Sequence, residues 1–185
     1  MCFEQGLVAE IRHQILPDGG HISRNTDVVV DLHNDWIRSV PYCLVDPVDQ
    51  YPNRSLYRRV LKLARTTGLL LVEDSDVFHP LANTLAGAMI GKSIPAFTIE
   101  AGGSFAVVED GVAAGKRAVL SILRELDMVD YEGTATRDTA AARALRYTDR
   151  PLCSSCGLIR FFVQPGEAIR KGQKLATVYN AFGSR

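Results

Sequence analysis

The stretch Val28-Val29-Val30-Asp31-Leu32-His33 decides the reading of this chain. A short apolar run without polar alternation is the pattern of a buried strand in an open α/β sheet. Such a strand delivers its last residues to the rim where ligands collect. Here those residues are an acid and an imidazole. His33 is a candidate metal ligand, and Asp31, two residues earlier, is a candidate for orienting its ring. A second strand-like run, Ala96-Phe97-Thr98-Ile99-Glu100, ends on one carboxylate and leads into a flexible Ala101-Gly102-Gly103. One histidine and one glutamate at two strand ends read as a hydrolytic metal site. Zinc, however, needs more than one protein ligand.

Working outward from these runs, Glu4 to Leu16 carries apolar positions at Leu7, Val8, Ile11 and Ile15, a helical spacing that Pro17-Asp18-Gly19-Gly20 breaks. Asn34 to Arg54 is polar and punctuated by proline. It reads as a loop over the sheet edge, long enough to carry function. Ser55 is the expected cap of a helix running to about Thr67, with Leu56, Val60, Leu63 and Ala64 on one face. Gly68 ends that helix, and Leu69 to Val72 reads as another buried strand. Leu81 to Ile90 is helical and closed by Gly91. Val107 to Val129 is the strongest helix, with Val112, Val119, Ile122, Leu123 and Leu126 in register. Strands alternating with helices predict an α/β sheet, largely parallel.

After Tyr131 the character changes. Thr134 to Ala142 is small and polar, a linker. Short β-like pieces follow at Ala144 to Tyr147, Leu158 to Val163 and Leu175 to Tyr179, punctuated by Pro165-Gly166 and Lys171-Gly172 turns. The expected organisation is an α/β part over residues 1–136 and a small all-β unit over 137–185.

At 185 residues the chain can bury a full core, and 46% hydrophobic with 23% charged residues is ordinary for a soluble globular protein. The formal net charge is zero, so nothing favours nucleic acid or an anionic membrane as a partner. No apolar run approaches a membrane span, and Met1-Cys2-Phe3-Glu4-Gln5 is not the start of a signal peptide. Four cysteines do not make a disulfide scaffold in a chain of this size, and the expected compartment is the reducing cytoplasm.

The order of the parts carries a resemblance. Val30-Asp31-Leu32-His33 comes first, then Ile94-Pro95-Ala96-Phe97-Thr98-Ile99-Glu100-Ala101-Gly102-Gly103. The helix with Gly111-Val112-Ala113-Ala114-Gly115-Lys116 follows, and Ser155-Cys156-Gly157-Leu158 to Gly183 closes the series. From about Asp27 onward the chain resembles the succinylglutamate desuccinylase/aspartoacylase family, deacylases built on the zinc carboxypeptidase fold. The resemblance implies a partial zinc-carboxypeptidase-like mixed sheet flanked by helices, with a small carboxy-terminal all-β barrel-like domain. It implies Zn2+ as the cofactor and the amide of a small N-acyl amino acid as the substrate. By the same resemblance His33 matches the last zinc ligand. Glu100 matches the general base acting on zinc-bound water, a pairing that fits the chemistry of metal-assisted amide hydrolysis. Gly102 and Gly103 would let the backbone approach the substrate.

One departure is serious. The family brings its first two zinc ligands as a His with a Glu three residues on, and carries an Asn-Arg pair after them. Here His13 is followed at that distance by Leu16 and His21 by Arg24, while Arg24-Asn25 reverses the dipeptide. The chain resembles the family's carboxy-terminal two-thirds. The expectation is weak zinc binding and little turnover. The rival reading is a non-catalytic remnant acting as an interaction module, for which self-association as a homo-oligomer is one expected state; a third is a coding start placed upstream.

Other candidates weigh less. His79 is a replacement ligand or a helix cap. Arg38 and Arg54 are loop arginines, candidates for a substrate carboxylate or simply solvated. Cys153-Ser154-Ser155-Cys156 has the spacing of half a zinc ribbon or of a redox pair, yet no second such pair exists. Val163 to Val178 is similar to half of a lipoyl- or biotin-carrier barrel. No lysine flanked by Met or Ala stands at a hairpin tip, so it reads as structural.

Overall fold

The computed structural model describes residues 25–35, 38–75, 81–103, 107–133, 144–148, 151–180 and 182–183. The helix expected over Glu4–Leu16, the linker after Thr134 and the candidate ligand His79 lie outside these residues. Ten elements concern the site: β1 (Val29–Asp35), β2 (Tyr42–Val45), α1 (Arg54–Thr66), β3 (Leu70–Glu73), α2 (Leu85–Gly91), β4 (Ala96–Gly103), α3 (Glu109–Glu125), β5 (Leu145–Arg146), β6 (Leu158–Phe161) and β7 (Ala176–Tyr179).

Five strands form one sheet in the order β1-β4-β2-β3-β5. β1 and β4 run parallel, β2 lies antiparallel to β4, and β3 and β5 run parallel to β2. The sheet is therefore mixed, as the resemblance implied, and not largely parallel as the alternation of elements alone predicts. The strand directions reverse at the β4–β2 pair because β1 is followed directly by β2 without a helical crossover. β5, read from sequence with the later β pieces, adds to this large sheet. β6 and β7 pair only with each other, as an antiparallel hairpin.

α1 begins where Asn53 accepts a hydrogen bond from the Leu56 amide at 2.9 Å, so Asn53 and not Ser55 is the cap. Its buried face is Leu56, Val60, Leu63 and Ala64, the face expected from the spacing. These side chains pack with Cys43, Val45, Leu71, Phe97 and Ile99 into one apolar core. α3 lies on the same core, but its buried stripe is Gly111, Ala114, Ala118, Ser121 and Ile122. Val112, expected inside, is exposed. The small residues win that face because α3 approaches β4 closely: a Cβ at Gly111 would stand 2.4 Å from the Ala101 carbonyl oxygen.

Two strand expectations change. β4 continues through Ala101, Gly102 and Gly103, so these residues are strand and not a flexible lip. β1, read as buried, is half-buried with Leu32, His33 and Asn34 exposed, because it stands at the sheet's edge among the described residues.

Asp46, just past β2, is buried with one carboxyl oxygen unpartnered. Burial, helped by nearby Asp74, pushes its pKa from 3.8 up to about 6. The native state thus favours the protonated acid, and stability is lost as pH rises from about 4 to about 6, where the unfolded chain has ionised and the native one has not. Asp46→Asn is expected to leave stability near pH 4 almost unchanged and to raise it by on the order of 2 kcal/mol at pH 7. Urea unfolding of both proteins at the two pH values measures this.

Candidate active site

The site is set by one register. In the β1–β4 ladder Asp31 lies beside Thr98 and His33 beside Glu100. Side chains alternate along a strand, so Asp31, His33, Thr98 and Glu100 share one face, while Val30, Leu32, Phe97 and Ile99 take the other. The structure therefore brings together the imidazole and the carboxylate that the sequence singled out, at the carboxyl-terminal end of two parallel strands.

His33 Nε2 lies 3.1 Å from Asp31 Oδ2. That pairing raises the imidazole's pKa above 6.5, with the Asp31 and Glu100 charges assisting and partial burial opposing. Glu100 is buried, and its Oε2 has no hydrogen-bond partner among the described residues. Its pKa is raised chiefly by burial, with the charges of Asp35, Asp31 and Asp74 adding and His33 opposing. A carboxyl poised upward in this way, with one free oxygen, is chemically suited to accept and return a proton.

β2 contributes a residue that sequence reasoning missed. Tyr42 is the antiparallel partner of Glu100, and its hydroxyl donates to Asp35 Oδ2 at 3.2 Å. Burial and the neighbouring Asp35, Glu100 and Tyr147 hold that phenol well above its ordinary pKa of 10, so it stays a neutral donor. Asp35 reaches this position through an irregularity in β1, where pairing skips to Gly103 after His33. The period-two pattern Asp31, His33, Asp35 was a usable signal for Asp35. For Tyr42 and Tyr147 there was none, because each arrives by a long-range strand pairing.

The remaining candidates scatter. Arg38 Nη2 donates to Gln164 Oε1, tying the loop before β2 to the turn after β6. Gly103 makes room for that loop's backbone: a Cβ there would stand 2.5 Å from the Ser39 nitrogen. Gly102 precedes it in β4. Arg54 opens α1, whose opposite end packs on the core face of the sheet, where Thr67 Oγ1 lies 3.3 Å from the buried thiol of Cys43. Arg54 is the first of that helix's thirteen residues. Cys153 and Cys156 are exposed free thiols. Among the described residues no group of three or more His, Cys, Asp or Glu side chains is placed to hold a metal ion. His33 and Glu100 alone do not fit the zinc ion that the resemblance implies. Among the same residues, no helix is long and apolar enough to cross a membrane.

No family model matches the chain, and the comparison with curated proteins found no match. Solved structures do match. The chain has the mixed α/β fold of the succinylglutamate desuccinylase/aspartoacylase deacylases. A succinylglutamate desuccinylase/aspartoacylase from Rhodobacter sphaeroides superposes with a TM-score of 0.71 at 20% identity, covering 94% of this chain and 50% of that one. The product-bound ectoine utilization protein EutE (DoeB) from Ruegeria pomeroyi gives 0.70 at 15% identity, covering 94% and 50%. A succinylglutamate desuccinylase from Silicibacter sp. TM1040 gives 0.66 at 15%, covering 93% and 50%. At these identities the likeness is one of fold, and the chain spans about half the length of the structures it matches.

If Asp31 is what raises the imidazole, Asp31→Asn lowers the His33 pKa, an outcome read from NMR titration of its ring protons. The imidazolium form of His33 supports the fold below pH 6.5 and ceases to do so as pH rises through its folded pKa. The wild type is therefore expected to lose a small increment of stability across that range, which Asp31→Asn lacks.

Proposed function

We propose that the chain is a hydrolase of the desuccinylase/aspartoacylase type, directed at the amide of a small N-acyl amino acid. The observation that supports this reading is the rung His33–Glu100, a half-exposed imidazole beside a buried carboxylate with an unpartnered oxygen, on a fold shared with proteins of that description. In this reading Glu100 takes a proton from the attacking water and returns it to the departing amine. Asp31 holds the His33 ring, and His33 is one metal donor. Tyr42 stands across from Glu100, its neutral hydroxyl held by Asp35. Arg38 and the Gly102–Gly103 end of β4 are offered as substrate-binding positions, and the β6–β7 hairpin is offered as part of a barrel-like carboxy-terminal unit over residues 137–185. The expected setting is cytoplasmic.

The reading also proposes that catalysis by this chain is impaired. None of its four histidines is followed three residues later by a glutamate, and one imidazole with one carboxylate does not hold zinc in a catalytic geometry. The expected zinc content, measured by elemental analysis after dialysis against micromolar zinc, is well below one per chain. Turnover of a panel of N-acetyl and N-succinyl amino acids is expected to be slow. Whatever turnover exists should fall by about 10²-fold or more in Glu100→Gln. Hydrolysis that survives both Glu100→Gln and His33→Ala would place the chemistry elsewhere. Stoichiometric zinc with rapid turnover would overturn the impairment.

A further inference from the structure

Tyr42 and Glu100 face one another across the β2–β4 ladder, and register partners on one face of a sheet stand close enough for their side chains to interact. The Glu100 charge bears on the phenol. Glu100 Oε2 is buried without a hydrogen-bond partner among the described residues. A buried carboxylate oxygen ordinarily takes the nearest donor. Here it does not, because the Tyr42 hydroxyl donates to Asp35 Oδ2 at 3.2 Å. Asp35 belongs to β1, and β4 runs between β1 and β2, so the bond links strands two spacings apart, about 10 Å. The backbone is shaped to allow it. His33 pairs with Glu100 but Asp35 pairs with Gly103, so Ala101 and Gly102 of β4 lie against the single Asn34. Gly102 takes a φ of +155°, a conformation that only glycine adopts readily. This bulge moves Asp35 one residue further from the Glu100 rung than an unbroken ladder allows.

We propose that Asp35 is a positioning residue: by accepting the Tyr42 hydroxyl it keeps that donor off Glu100 and leaves Oε2 open to the attacking water. The proposal rests on the reading of Glu100 as the group that takes and returns the proton, and it assigns a task to two residues that the reading leaves without one. A phenol bound to Glu100 would occupy the lone pair that water needs and would stabilise the anion, making it a weaker base. The three carboxylates of the face then divide the work. Asp31 holds the imidazole, 3.1 Å from His33 Nε2. Asp35 draws off the phenol, and Glu100 stays open. Phenylalanine at position 42 would also leave Glu100 open, so the hydroxyl has a second use. It ties β1 to β2 across β4, just beyond the point where the β1 ladder becomes irregular.

The test uses the full-length chain with its tyrosines labelled at the ring carbon that bears the hydroxyl, the Tyr42 NMR signal being assigned by its loss in Tyr42→Phe. Asp35→Ala is expected to shift that signal, and a crystal structure of the variant to show the hydroxyl within hydrogen-bond distance of a Glu100 oxygen. Asp35→Asn keeps an acceptor and is expected to leave the signal in place. A hydroxyl that stays clear of Glu100 in Asp35→Ala overturns the proposal, as does a signal that moves equally in Asp35→Asn. If Asp35→Ala does not fold, Asp35→Leu, which fills the same space without an acceptor, carries the same expectations. On N-acetyl amino acids, kcat of Asp35→Ala is expected to fall on the order of tenfold with KM little changed. Adding Tyr42→Phe removes the misplaced donor and is expected to recover several-fold of that loss. A double variant slower than Asp35→Ala marks a merely structural role and counts against the proposal. The NMR and crystallographic readouts need no turnover, so this assignment and the proposed function fail separately.

Discussion

The parallel pairing of β1 with β4 is the constraint on which the site depends. From Val29 with Ala96 to His33 with Glu100 the register is unbroken, and adjacent strands lie only about 4.8 Å apart. A slip of one residue would turn His33 onto the apolar face and put Leu32 beside Glu100. What prevents the slip is the opposite face. Phe97 and Ile99 are fully buried under the helices, and β4 has no second way to present them. The chemistry of the polar face is thus positioned by the packing of the apolar one.

That division also explains what a sequence reader can see. Asp31, His33 and Glu100 were legible because each follows an apolar run, and a strand's end is a local signal. The α1 face was legible for a similar reason, since Leu56, Val60, Leu63 and Ala64 recur at the spacing of successive helical turns. Tyr42 was not, because nothing near it in the chain reveals that β2 reverses direction to lie across from Glu100. The antiparallel β2–β4 pair also made the sheet mixed, and only the order of motifs, not their periodicity, anticipated it.

Two misreadings share a cause. Val112 was placed inside by helical spacing, yet the inner face of α3 is built from Gly111, Ala114 and Ala118. Periodicity weighs residues by hydrophobicity, whereas close helix–strand approach selects by size: only glycine fits 2.4 Å from the Ala101 carbonyl. The Gly102–Gly103 pair was read as flexible for similar reasons. It is strand, and Gly103 lacks a side chain because the Arg38–Ser39 backbone occupies that space. In both places glycine reports crowding and not freedom.

Crowding on one side and openness on the other give β1 its character. Its polar face is organised: Asp31 on His33, Asp35 on Tyr42, and Glu100 buried between them. Its apolar face is as hydrophobic as a core strand but looks onto a groove. Among the described residues β1 pairs with β4 alone, whereas β4 is paired on both sides, so the position of β1 is softer than that of β4. The imidazole inherits that softness. Whatever covers Val30 and Leu32 therefore acts on His33 through the strand itself, and the geometry of the rung with Glu100 is tied to the packing of a face that never meets the substrate.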